Sequence, residues 1–493
     1  MDDIRDYKML IDGTWADASD KGQFDSINPS TSKVWARIPE ATEADVDRAV
    51  LAAHRALNEG SWGRISPTER GRCLRRLGDL LADKSEMLGR VETVDTGKLL
   101  KETRWQAKYI SEYFHFYAGC ADKINGETLP IDKSDMFVFT SREPLGVVAA
   151  VVPWNSQLFL SAVKIGPALA AGNTIVLKAS EHASATMLEF GELIAEAGIP
   201  PGVVNIVTGH GDPCGRALTS HRLVARISFT GGPAAARQVL LNSANNFAQV
   251  SLELGGKSPF IVFDDANLDS AVNGAISAIF GAAGQSCVAG SRLYLQDSIA
   301  DGFLARMTAL VRKIKIGNPL DEATEMGPLC TAGQLERIER EVAHAQKEGG
   351  KLLCGGNRVD GLGGLFYEPT IIECPRQDLR IVDTELFGPV LSVLRFRDEA
   401  EAIRLANDSD HGLGAGIFTR DGARSLRMAK AVKAGIVWVN TYRAISPIAE
   451  FGGMKNSGYG RESGFRAIYD YTRPKTVWIN TSDTPLGSQF VAR

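Results

Sequence analysis

From residue 145 to about 256 the chain alternates short β-branched runs with longer stretches of helical periodicity. The apolar runs are GVVAAVVPW, NTIVLKAS, GVVNIVTG, ARISFTGG and QVSLELGG, with SAVKIGPALAA and ATMLEFGELIAEAG between them. This alternation predicts a parallel sheet covered by helices. A second alternating region runs from SPFIVFDDA at 258 to GIVWVN at 435–440 and predicts a second α/β unit. The first 120 residues read as helical after a short β start. Two capping boxes mark helix starts there, Thr42 with Asp45 and Ser66 with Glu69, the latter with Pro67 in the first turn. Near the end, KTVWINT reads as a strand too isolated to be stable alone. It is expected to pair with MFVFTSRE at 136–143 or with a partner chain's sheet.

Composition changes this picture little. A chain of 493 residues suggests about three domains at roughly 150 residues each. With 44% apolar and 23% charged residues it has the make-up of an ordinary globular protein. The net charge of -4 selects no partner class, and no block of like charge suggests a nucleic-acid arm. There is no run of eighteen apolar residues, so no membrane span is expected. The start, MDDIRDYKMLIDG, lacks the basic-then-apolar order of a signal peptide, and none is expected. The seven cysteines are scattered and without C-x-x-C pairing. That pattern predicts reduced thiols in a cytoplasmic setting, and no zinc or other metal site.

Ligands of parallel α/β sheets bind outside the carboxyl ends of the strands. Trp154-Asn155, Lys178, Thr230-Gly231-Gly232 and Glu253-Leu254-Gly255-Gly256 all stand there. Phe229-Thr230-Gly231-Gly232-Pro233 ends a strand and opens a helix, where free N–H groups favour an anion, although a plain strand-to-helix turn has the same look. Gly209 to Gly215 is spaced one residue too long for a dinucleotide fingerprint and contains Pro213, which favours an ordinary turn. Lys178 and Glu181 suit ribose hydroxyls, or form a solvated pair. Glu253 ends an apolar strand, where a carboxylate has a raised pKa and serves as a general base, or else is a surface glutamate. Cys287, in GAAGQSCVAGSR, follows an apolar run and has only small neighbours, which leave its sulfur uncovered. Those glycines and a helical run expected after it mark it as a nucleophile candidate. The nearest histidines, His221 and His344, are more than 50 residues away, so no Cys/His pairing is signalled.

Taken in order, PWN at 153–155, KASE at 178–181, FTGG at 229–232, ELGGK at 253–257, GQSCVAGSR at 284–292, ELFGPV at 385–390 and FGGMKNSGYGRESG at 451–464 resemble the aldehyde dehydrogenase superfamily over nearly the whole chain. The resemblance implies two Rossmann-like parallel-sheet domains plus a small β oligomerisation element. Residues 1–122 and 145–255 would bind NAD, 256–463 would be catalytic, and 123–144 with 464–493 would mediate assembly into a homodimer or homotetramer. It implies oxidation of a small-molecule aldehyde to the acid by NAD, with NADP as a possible substitute. Cys287 would be the nucleophile, Asn155 the oxyanion donor together with the Cys287 N–H, and Glu253 the base that activates water. Trp154, Lys178, Glu181, Gly231, Gly232, Leu254, Glu385 and Phe387 would contact the cofactor.

Three positions depart from the family pattern: Ser156-Gln157 where Phe-Pro is common, Glu450 where Pro is common, and Ala179-Ser180 within the KPxE motif. The segment Thr441 to Ile448 is expected at the substrate mouth; Tyr442 and Arg443 there would suit a polar or acidic substrate, but an exposed arginine at the rim is the favoured reading. Two other readings stand beside the hydrolytic enzyme: a CoA-acylating dehydrogenase, against which Glu253 counts, and a non-catalytic structural relative, against which Cys287, Asn155 and Glu253 together count.

Overall fold

The structure, a computed structural model, describes residues 4–486. Two large sheets organise it. In the first, five parallel strands run in the order Gln249–Leu254, Val224–Gly231, Val147–Val151, Thr174–Lys178 and Val204–Val207. The hairpin of Met9–Ile11 and Thr14–Ala16 extends one edge antiparallel. The second sheet has seven strands in the order Lys351–Cys354, Thr370–Glu373, Val390–Phe396, Arg292–Gln296, Pro259–Val262, Gly414–Phe418 and Ile436–Val439. All of its pairings are parallel except that of Lys351–Cys354.

The predicted α/β class with two parallel sheets is what the chain adopts. Its apolar runs are continuous because both faces of each strand are covered. Val148, Ala150, Ile175 and Leu177 point into one core, and Val147, Ala149 and Val176 into another on the opposite face. In the second sheet Ile261 and Tyr294 face one core, and Phe260, Val262, Leu293 and Leu295 the other.

Both capping boxes form. The Glu69 N–H donates to Ser66 Oγ at 3.3 Å and the Ser66 N–H to Glu69 Oε2 at 2.8 Å, at the start of the helix Pro67–Asp83. Thr42 and Asp45 make the same exchange at 3.3 and 3.0 Å, opening Glu43–Asn58. Thr472–Asn480 pairs antiparallel with Met136–Pro144 along its full length, as the tail's pattern predicted. One element lies across the expected division of the chain. Gly458–Tyr459, within the 256–463 stretch, pairs antiparallel with Leu252 and Glu253 and so forms the other edge of the first sheet. Among the described residues no helix is long and apolar enough to cross a membrane.

Candidate active site

A cavity of about 1060 Å³ is lined by the carboxyl ends of first-sheet strands and by loops of the second unit. A ligand pocket commonly holds about 300–1,000 Å³, so this one stands at the upper end of that range. Asn155, Glu253 and Cys287 all line it, as do Trp154, Gly231, Gly232, Leu254, Glu385 and Phe387. Lys178 and Glu181 do not. They sit past the end of Thr174–Lys178, where Lys178 Nζ donates to Glu181 Oε2 at 3.2 Å and to the Ala179 carbonyl at 3.0 Å.

Cys287 is only partly buried, whereas the other six cysteines are buried. It lies in a turn between the helix Leu268–Phe280 and the strand Arg292–Gln296. The helical run expected after Cys287 is therefore absent; a strand follows and the helix precedes. Its small residues serve a different purpose. Ala282 and Ala283 take left-handed φ values of 53° and 51°, a conformation that larger or branched side chains disfavour. Gly256 passes directly beneath the turn: a β-carbon there would lie 2.7 Å from the Cys287 carbonyl oxygen. Burial, then the Glu385 and Glu253 carboxylates, push the Cys287 thiol up to about 12, opposed by Arg443 and the Val288 N–H. This environment favours the protonated thiol of Cys287.

Asn155 stands in the short turn Trp154–Ser156 that joins Val147–Val151 to the helix Gln157–Ala170. Its Nδ2 donates to the Gln285 carbonyl at 3.1 Å. An amide nitrogen carries two hydrogens, so one stays available to the cavity. Gln285 is itself held: its Oε1 accepts from the Cys330 N–H at 2.8 Å.

Glu253 is 4% exposed and neither carboxylate oxygen has a hydrogen-bond partner. Burial, then the nearby Glu462, raise its carboxyl well above the ordinary range, while Lys164 and Arg461 act in the other direction. Lys164 forms a buried ion pair with Glu462 and donates to Thr230 Oγ1 at 2.8 Å and Ser228 Oγ at 3.2 Å. Sequence reasoning missed this pair. A single lysine inside the apolar helix run SAVKIGPALAA was the available signal, since buried charges require a partner.

The other end of the cavity suits a dinucleotide. Gly232 caps the helix Pro233–Ser243, and the space where its β-carbon would stand is open. Free N–H groups at such a helix start favour phosphate. Glu385 Oε1 accepts the Gly256 N–H at 3.0 Å, and Trp154 and Phe387 meet edge to face at 5.4 Å. Among the described residues no group of three His, Cys, Asp or Glu is arranged to hold a metal.

A half-open thiol, a buried unpartnered carboxylate and a side-chain amide, set in one cavity between two parallel sheets, define a thiol-based enzyme of the α/β class. The chain belongs to the aldehyde dehydrogenase family, whose model matches residues 15–477. It is 52% identical over 99% of its length to all of the (Z)-2-((N-methylformamido)methylene)-5-hydroxybutyrolactone dehydrogenase of Acinetobacter baylyi. It superposes with a TM-score of 0.96 on betaine aldehyde dehydrogenase from Staphylococcus aureus in complex with NAD+, at 39% identity and covering 99% of this chain and 97% of that one. An NAD+ complex of aldehyde dehydrogenase from Bacillus cereus gives a TM-score of 0.95 at 38% identity, covering 97% of each chain.

Proposed function

We propose that the protein oxidises an aldehyde to its carboxylic acid with NAD through covalent attachment to Cys287. The observation that carries this reading is the half-open Cys287 thiol in one cavity with the unpartnered Glu253 carboxylate. The Cys287 thiol loses its proton to solvent water, and the thiolate sulfur attacks the aldehyde carbon to give the oxyanion of a thiohemiacetal. Its oxygen is held by the free hydrogen of Asn155 Nδ2 and by the Cys287 N–H, donors each worth about 3–4 kcal/mol at the transition state. The cofactor supplies, when bound, acceptance of a hydride from that carbon, which leaves a thioester on Cys287. Glu253 then takes a proton from water, the hydroxide adds to the thioester carbon, and the acid leaves as the Cys287 sulfur is released.

Gly231, Gly232 and the start of the helix Pro233–Ser243 would hold the pyrophosphate, with Leu254 beside the nicotinamide. Trp154, Glu385 and Phe387 would hold the nicotinamide end, and Lys178 with Glu181 the adenosine ribose. Glu181 repels a 2′-phosphate and Lys178 is already engaged by it, which favours NAD over NADP. Equal or better kcat/KM with NADP would overturn that preference. From the name of the Acinetobacter relative only a class is carried over, a small oxygen-rich substrate.

The same reading assigns residues 1–122 and 145–255 to cofactor binding, 256–463 to catalysis, and 123–144 with 464–493 to assembly. A cytoplasmic setting fits the seven unpaired cysteines. Phe137, Trp478 and Ile479 are 45%, 57% and 43% exposed on the two-stranded sheet, and such an edge invites pairing. A homodimer or homotetramer is expected, and a monomer by light scattering would refute it. The activity is tested by NADH absorbance over a panel of small aldehydes. Signal from the parent protein and none from Cys287→Ala is the expected outcome; no signal with any aldehyde overturns the reading.

A further inference from the structure

One wall of the cavity is built from three separate segments. They are the helix Leu100–Tyr109, the end of the helix Leu268–Phe280 with the turn that follows, and the loop after Ile436–Val439. Hydrogen bonds tie them together. Tyr109 OH donates to the Ile445 carbonyl at 2.9 Å, the Ala282 N–H to Glu102 Oε1 at 3.1 Å, and Arg443 Nη1 to the Gly281 carbonyl at 3.4 Å. Tyr442 OH donates to the Val288 carbonyl at 2.9 Å, which fixes this loop beside the Cys287 turn.

Three cations line this side of the cavity: Lys98, just before the helix Leu100–Tyr109, and on the wall itself Lys101 and Arg443. Two are engaged. Lys98 is buried and pairs with Glu92 at 3.3 Å, with Ser156 Oγ also accepting from it at 3.1 Å. Lys101 Nζ donates to the Thr324 carbonyl at 2.7 Å. Arg443 is different. It is half-buried, and among the described residues no carboxylate lies within the 4.0 Å of an ion pair. Its only side-chain hydrogen bond among the described residues is the long one to Gly281. The bare Cα of Gly281 makes room for the guanidinium, since a β-carbon there would lie 2.7 Å from Nη1. Glu102, on the same wall, has one oxygen on the Ala282 N–H and the other buried without a partner. It opposes an anion in part but does not neutralise Arg443.

A guanidinium withdrawn from water needs a partner, and its planar fork matches a carboxylate with two parallel hydrogen bonds. Resting on the aldehyde-oxidising reading, we propose that Arg443 is a specificity-determining residue that binds a carboxylate carried by the aldehyde substrate. The substrate class is then a short oxo acid, an aldehyde at one end and an anion at the other.

Arg443 also faces Cys287 and lowers its thiol. Removing the arginine therefore slows every aldehyde somewhat, and the decisive quantity is a ratio. The probes are 4-oxobutanoate and butanal, matched in carbon number, assayed with the parent protein, Arg443→Gln and Arg443→Lys. The parent protein is expected to prefer 4-oxobutanoate in kcat/KM. In Arg443→Gln that preference falls by about 10- to 100-fold, the size of a charge-assisted hydrogen bond, chiefly through KM. Arg443→Lys, which keeps charge but not the fork, is expected in between. A measurement without turnover accompanies it: succinate raises the melting temperature of the parent protein and does so less for Arg443→Gln. An equal preference for butanal in the parent protein, or a preference and a succinate shift unchanged in Arg443→Gln, overturns the proposal. If no aldehyde yields NADH, the aldehyde-oxidising reading fails, and the succinate shift still decides whether Arg443 binds a carboxylate.

Discussion

Asn155 Nδ2 donates to the backbone carbonyl of Gln285 at 3.1 Å, two residues before Cys287. The bond joins a turn of the first sheet to the nucleophile turn of the second unit. On the proposed mechanism this one amide group both positions the Cys287 loop and offers its remaining hydrogen to the substrate oxygen. Asn155→Ala removes both functions. It is expected to lower kcat by about 10²- to 10³-fold, the usual loss for an oxyanion donor. A circular-dichroism melt within a few degrees of the parent would show that the loss is catalytic. Activity within a few-fold of the parent would remove Asn155 from the mechanism.

The Cys287 thiol gives a second expectation. Glu385 is the largest charge raising it after burial, and the Glu385 carboxyl is itself raised to about 7, mainly by burial. Above that pH Glu385 is ionised and disfavours the thiolate; below it Glu385 is neutral. Glu385→Gln should therefore speed alkylation of Cys287 by iodoacetamide several-fold at pH 8–9 in the protein without cofactor, and change it little below pH 6. Mass spectrometry of the labelled peptide reads this directly. An unchanged rate at pH 9 would show that Glu385 does not act on the sulfur.

The parts of this site visible in the sequence are those that lie in short segments at strand ends. Asn155, Glu253 and the Gly231-Gly232 turn each follow an apolar β run, and the fold puts such ends together whatever the helices do. Cys287 was legible because its neighbours are small, but the reason for their size was not. Nothing local in GAAGQSC reveals left-handed Ala282 and Ala283, or that Gly256 would pass beneath the turn. VAGSR has no hydrophobic period, and the expected helix after Cys287 is instead a turn leading into the strand Arg292–Gln296. Lys164 and Glu462 lie 298 residues apart, and only the antiparallel return of Gly458–Tyr459 onto the first sheet makes them neighbours. Arg443 was visible in the sequence as a residue, but its missing partner was not, because lack of a contact is a property of three dimensions.

The Lys164–Glu462 pair should matter for stability as much as for charge near Glu253. Lys164 is 0% exposed and Glu462 is 5% exposed. Breaking a buried pair from one side strands the other charge and costs about 3–5 kcal/mol, whereas replacing both with apolar side chains is often neutral. Lys164→Met alone is expected to lower the urea midpoint clearly, and Lys164→Met with Glu462→Leu to recover a large part of it. A double variant as unstable as the sum of the singles would show that the two residues do not act as a pair.

On the proposed mechanism Glu253 separates the two halves of the reaction. Its carboxyl is raised well above the ordinary range, first by burial and then by Glu462. A base must be ionised, and steady-state turnover is therefore expected to rise with pH as Glu253 loses its proton. Glu253→Gln keeps the shape and cannot accept a proton. The thioester should still form, because the sulfur, Asn155 and the cofactor cradle are untouched. Rapid mixing at 340 nm, the band of the reduced nicotinamide, should show a burst of about one NADH per Cys287 followed by a much slower steady rate. The ascending pH limb of that slow rate should be lost. The burst rate should itself climb with pH, because the thiol, pushed up to about 12, still has to ionise. Complete loss of the first turnover in Glu253→Gln would mean that Glu253 also takes the proton from Cys287, and its role would move from water activation to activation of the nucleophile.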